Sequence, residues 1–152
     1  KFKTDVAMSG KLGYDMDIAH LNKGDLEFSR QAVKTYDSIK EIIWHGDQYR
    51  LSDPWNNDVS AIMYSNDAGN SAVMFSYLVG QRYGDASKSP IKLKGLNADK
   101  RYKVQEINLY PGAKSAIRND ATYSGEFLMK VGINPLVNNG RRSVVLRIDG
   151  ED

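Results

Sequence analysis

The chain has 152 residues, 41% of them apolar and 26% charged, the balance of a single globular domain able to bury roughly 70% of its unfolded surface. Twenty-one Lys and Arg stand against nineteen Asp and Glu, and the basic residues are scattered, with Lys100-Arg101 and Arg141-Arg142 the densest pairs, so no contiguous stripe for nucleic acid is expected. The lack of cysteine excludes disulfides, thiolate catalysis and sulfur-ligated zinc, and no apolar run approaches the ~20 residues of a membrane helix.

The run Val6-Ala7-Met8-Ser9 reads as a short apolar strand leading into the turn Gly10 to Gly13. A long helix follows. Asn22 caps it and Asp25 stands at the third helical position, a shortened capping box with Leu21 and Leu26 placed as a hydrophobic staple. Phe28, Ala32, Tyr36, Ile39 and Ile43 step by three or four and share one face, and Gly46 is expected to stop the helix in a left-handed conformation. At about twenty residues such a helix is ~30 Å long and needs a surface to cover its apolar stripe.

After Asp53-Pro54 the period becomes two. Val59 to Ser65 and Ser71 to Val79 flank Asn66-Asp67-Ala68-Gly69-Asn70 and predict a hairpin. Ile91 to Lys94 alternates. Tyr102 and Val104 alternate, then the pattern slips to Ile107 and Leu109, which predicts a β-bulge at Gln105-Glu106. Glu126 to Val131 and Ser143 to Ile148 complete about seven or eight strands, a number that favours an antiparallel two-sheet sandwich with one long N-terminal helix. The seam between the parts falls near Gly46 to Asn57, giving residues 1–46 and 47–152 as two units.

The run from Asp5 to Asp17, the helix ending Ile42-Ile43-Trp44, the step Tyr49-Arg50-Leu51 and the later Lys100 to Val104 carry a resemblance over nearly the whole chain. Together they resemble the C-terminal end of the α-galactosidases of glycoside hydrolase family 36. The resemblance implies a larger parent with an N-terminal β-domain, a central (β/α)8 barrel and this terminal module. Residues 1–46 would be the remnant of the last βα unit, and 47–152 the terminal sandwich. The family's nucleophile lies in a Lys-Trp-Asp motif and its acid/base in a Gly-rich segment ending in Asp; neither motif occurs here. The implied parent is a retaining enzyme of the bacterial cytoplasm or periplasm, without metal or organic cofactor, that hydrolyses terminal α-galactosides such as melibiose and raffinose. The chain's partner would be the catalytic barrel, and its contact with oligosaccharides would come through the parent. The chain alone is expected to be a non-catalytic, structural module.

Candidate sites follow. Asp15 and Asp17 are the tempting carboxylate pair, ~6.6 Å apart in an extended segment. Loop carboxylates with ordinary acidity make poor general acids near neutrality, so a solvated loop is the better reading. Ser9, Gly10 and Lys11 follow the expected strand and are candidates for the barrel rim, where such enzymes keep their active sites. His20 and His45 flank opposite ends of the helix, too far apart to share a metal. Asn56-Asn57-Asp58 and Asn66-Asp67 lack the ligand spacing of a calcium loop and read as turns. Tyr36, Ile39, Ile43 and Trp44 are expected to pack the joint between helix and sandwich. Trp55, in a polar loop, is the candidate for stacking on a sugar, the basis of an alternative as an autonomous carbohydrate-binding module. A third reading, self-association into a homo-oligomer, draws on the unpaired strand at Val6 to Ser9.

Overall fold

A computed structural model describes residues 1–80, 89–119 and 121–151, apart from the side chain of Ile18. Its centre is one six-stranded antiparallel sheet of β1 (Asp47–Ser52), β2 (Val59–Ser65), β3 (Ser71–Leu78), β4 (Arg101–Ile107), β5 (Thr122–Ser124) and β6 (Ser143–Gly150), in the order β1-β2-β3-β6-β4-β5. Three helices accompany it: α1 (Phe2–Met8), α2 (Lys23–His45) and α3 (Gly125–Lys130), with a 3-10 turn at Ile18–His20. The mainly β class and the long helix agree with the sequence. The second sheet does not form among the described residues.

Burial on both faces of a single sheet explains this departure. Residues such as Met63, Met74, Val104 and Leu146 point to one face, where they meet Leu93, Leu96, Leu128 and Val137. That cover is built from α3 and from segments that run without ladder pairing, with Ile91 and Ile133 joined only by an isolated bridge. The opposite face carries Tyr64, Val73, Phe75, Tyr77 and Val145 and packs against Met8 of α1 and Tyr36, Ile39 and Ile43 of α2. A strand buried on both faces loses strict apolar–polar alternation, which is why β3 is buried at seven of its eight positions.

Local chemistry accounts for each element. Asn22 Oδ1 accepts from the Asp25 backbone N–H at 2.8 Å, and the Asn22 amide donates to the Asp25 carboxylate at 2.7 Å, so the expected cap is made with the reciprocal bond going to a side chain. The buried residues of α2 are the expected five: Phe28, Ala32, Tyr36, Ile39 and Ile43. Gly46 ends the helix in an extended conformation with φ at −84°, not a left-handed one. It is glycine for lack of space, because a Cβ there would lie 2.3 Å from the Ser65 carbonyl oxygen and 2.4 Å from that of Ile42.

The hairpin β2–β3 has the expected register, Ser65 opposite Ala72, and Gly69 takes φ of +63° in its turn. The expected bulge at Gln105-Glu106 is absent: β4 pairs with β6 without interruption from Tyr102 to Ile107, and a register shift lies instead in β1 between Arg50 and Ser52. The apolar pattern slips because Glu106 occupies an inward position and is buried.

Two strands of the sequence reading are helices. Val6 to Ser9 belongs to α1 and its C-cap, so there is no orphan strand through which a second copy could pair. Its helix is favoured by the Lys1–Asp5 ion pair at i,i+4 and by Asp5 and Met8 sharing the buried side one turn apart. Glu126 to Val131 forms α3 with its C-cap, because Ser124 caps the Phe127 N–H at 3.1 Å and Glu126 pairs with Lys130.

Candidate functional site

The N-terminal segment is fastened to the sheet by polar groups that the apolar periodicity did not reveal. Asp5 is fully buried. One carboxylate oxygen accepts from Lys1 Nζ and Ser143 Oγ, each at 2.6 Å, and the other from the Asn108 side-chain amide at 2.6 Å. Asn108 takes a left-handed conformation, φ +55°, at the end of β4 to reach it.

Three tyrosines then tie down backbone carbonyls of the same segment. Tyr77 donates to Asp5 O at 3.0 Å, Tyr64 to Ser9 O at 2.6 Å and Tyr36 to Gly10 O at 2.6 Å. Trp44 Nε1 donates to the Tyr36 hydroxyl at 3.0 Å. These carbonyls lie where a helix end leaves acceptors unfilled. Burial pushes the Tyr77 phenol well above its ordinary value.

A second buried polar cluster lies at the same end of the sheet, where β4 finishes and β6 begins. Glu106 receives Arg141 and the Ser115 hydroxyl on one oxygen, Ser115 at 2.7 Å, and its backbone N–H donates to Asn119 Oδ1 at 2.9 Å. The bonds hold the loop after β4 and the approach to β6 together. Asp5, Asn108 and Ser143, like Glu106 and Arg141, were missed from sequence. Their only signal was an acid placed among apolar neighbours.

The expected site residues are dispersed. Tyr36, Ile39 and Ile43 lie between α2 and the sheet, while Trp44 is 48% exposed at the edge of that layer. Ser9 and Gly10 have their carbonyls occupied by tyrosines, and Lys11 is exposed. Trp55 is 92% exposed and stands beside a hollow of about 560 Å³ that Ser9, Arg50, Ser60 and Tyr77 also line. Asp15 and Asp17 sit in an exposed loop, where Asp17 accepts from Ala19 N and pairs with His20. His45 pairs with Glu41 at the far end of α2. Asn56 and Asn57 bond to Asp53, and Asn66 Oδ1 accepts from the backbone of Asn70 and Ser71, as turn residues do. Among the described residues no three His, Asp or Glu side chains converge as metal ligands, and no helix is long and apolar enough to cross a membrane.

Residues 59–148, from the start of β2 to near the end of β6, match the model of the glycosyl hydrolase family 36 C-terminal domain. The chain belongs to glycoside hydrolase family 36. Similar family members include alpha-galactosidase AgaA of Geobacillus stearothermophilus, 30% identical over 112 residues, a match covering 74% of this chain and 15% of that protein. Alpha-galactosidase 1 of Pediococcus pentosaceus is 28% identical over 136 residues, covering 89% of this chain and 17% of its own length. The chain thus spans about one-sixth of the length of these family 36 relatives.

Solved structures agree on the fold. The family 36 α-galactosidase AgaB of Geobacillus stearothermophilus superposes with a TM-score of 0.79 at 24% identity, over 98% of this chain and 19% of that one. The α-galactosidase of Lactobacillus brevis gives 0.80 at 20% identity, over 99% and 20%.

Proposed function

We propose that this chain is the non-catalytic C-terminal module of a family 36 α-galactosidase that cleaves terminal α-linked galactose from oligosaccharides such as melibiose and raffinose by a retaining mechanism. The observation that carries the reading is the match of 59–148 to the family's C-terminal domain, within relatives named as α-galactosidases and about six times as long. A retaining glycosidase needs two carboxyl groups about 5–5.5 Å apart across a sugar-sized cleft. Asp5 and Glu106 are taken up in buried structural bonds, and Asp15 and Asp17 are exposed in a loop, which supports placing the reacting pair elsewhere in the parent.

In this reading residues 1–46, which hold helices and no strand among the described residues, lie against the catalytic barrel, and 47–152 form the terminal β-domain. The module is structural: its sheet presents one buried face to α1 and α2 and so holds that segment in place. Tyr36, Ile39 and Ile43 are the contacts of the joint, and Trp44 locks it through Tyr36. At the barrel's edge Lys11 is the side chain free to point outward, since Ser9 and Gly10 spend their carbonyls on the joint.

The test is hydrolysis of a chromogenic aryl α-galactoside by the isolated chain. No release above the buffer rate is expected. Release at enzyme-like rates that disappears in Asp15→Ala or Asp17→Ala overturns the reading. A second reading, sugar binding by the module itself, is favoured by the exposure of Trp55.

A further inference from the structure

We infer that the hollow beside Trp55 is a subsite for the hexose end of an α-galactoside, an inference that takes its ligand class from the function proposed above. The loop that carries Trp55 is braced from within. Asp53 Oδ1 accepts from the Trp55 N–H at 2.9 Å, Asp53 also receives the Asn56 amide, and the Asn57 side chain donates to the Asp53 carbonyl at 2.9 Å. The indole is therefore presented on an ordered turn, and at 92% exposure it covers no core.

The neighbouring side chains supply the polar half of the site. Arg50 is exposed on β1, lines the same hollow, and has no ion pair or side-chain hydrogen bond among the described residues. Ser60 on β2 lines the hollow as well. One exposed aromatic face with a free guanidinium and a hydroxyl alongside suits a pyranose, whose C–H face stacks on the ring while its hydroxyls accept and donate at the edge.

Size and lining distinguish this ligand from a protein partner. About 560 Å³ lies in the range of small-molecule sites, which run from roughly 300 to 1,000 Å³. Among the described lining residues Trp55 is the one large apolar side chain that is strongly exposed. A stable protein interface needs a contiguous apolar core of several hundred Å², which a single ring does not provide.

The chain has two tryptophans, so its indole N–H groups give two resolved signals in a proton–nitrogen correlation spectrum. That of Trp44 is bonded to Tyr36 and serves as an internal reference. On titration of the 152-residue chain with melibiose or raffinose, the Trp55 signal is expected to shift and saturate in the millimolar range while Trp44 stays still. Trp55→Ala removes saturable binding, and Arg50→Ala weakens it by about tenfold, the loss expected for one charge-assisted hydrogen bond. Trp55 buries nothing, so the variant keeps its fold, verified by the unchanged Trp44 signal. The inference is overturned by no shift, by shifts that persist in Trp55→Ala, or by an equal response to sorbitol. None of these results alters the expected inactivity of the chain towards aryl galactosides, so the two readings fail separately.

Discussion

Asp5→Asn tests how α1 is held to the sheet, because the substitution keeps the shape of the side chain and removes its charge. The wild-type carboxylate accepts three hydrogen bonds of 2.6 Å, from Lys1, Ser143 and Asn108, with no solvent exposure. An asparagine in either flip turns an N–H₂ group towards at least one of these donors. In one orientation the amide faces the Asn108 amide; in the other it faces Lys1 and Ser143. Hydrogen bonds to a charged group contribute about 1.5–3 kcal/mol each, and a stranded buried donor adds to the loss. Part is recovered as the Ser143 hydroxyl rotates, so a net loss of about 2–4 kcal/mol is expected. For a domain of this size each kcal/mol lowers Tm by roughly 2–4 °C, which puts the shift on the order of 10 °C. Urea titration followed by circular dichroism gives the free energy and thermal melting gives Tm. A variant within about 0.5 kcal/mol of the parent chain, the range of ordinary surface substitutions, would refute the argument that this carboxylate fastens the helix.

Other substitutions probe the same joint. Tyr36→Phe strands the Gly10 carbonyl and the Trp44 indole, so it is expected to lose about 1–2 kcal/mol in chemical denaturation and to shift the Trp44 indole N–H signal. Gly46→Ala places a Cβ against the Ser65 and Ile42 carbonyls and is expected to cost about 1–3 kcal/mol; a neutral result in the same titration would show that the helix end has slack. Alkaline pH acts through Tyr77, whose phenol is held above its ordinary value by burial. The unfolded chain releases that proton near pH 10 while the folded chain keeps it, so the contribution is complete below pH 10 and is lost as pH rises beyond it, at up to about 1.4 kcal/mol per pH unit. Denaturation midpoints between pH 9 and 11 should fall more steeply in the wild type than in Tyr77→Phe, and equal slopes would contradict the assignment.

The sequence revealed most where one physical rule acted alone. The stripe from Phe28 to Ile43 and the Asn22 cap follow from helix periodicity and capping, and both stand in the structure. The β2–β3 hairpin follows from its turn residues. Segments governed by tertiary context were harder to read. Phe127, Leu128, Met129 and Val131 suit a strand as well as a helix, and the Ser124 cap decides in favour of α3. Glu106 and Asp5 look like surface charges until Arg141, Asn108 and Ser143, distant in sequence, arrive to satisfy them. A second sheet was expected because strand patterning cannot say whether an apolar face is covered by strands or by loops such as Ile91 to Leu96. Of the candidate site, the exposure of Trp55 was legible from its polar loop, but its neighbour Arg50 was not, because β1 had to be laid beside β2 to bring them to one hollow.

The central claim is that this module stabilises a catalytic barrel without taking part in its chemistry. Ile39→Ala in the full-length parent proposed above tests it most directly, because Ile39 is fully buried between α2 and the sheet and its truncation costs about 2–5 kcal/mol. Kinetics at low temperature and the half-life of activity on heating are measured on the same preparation. The account predicts kcat and KM close to wild type with a half-life shortened severalfold; a fall in kcat/KM with unaltered thermal inactivation would contradict it.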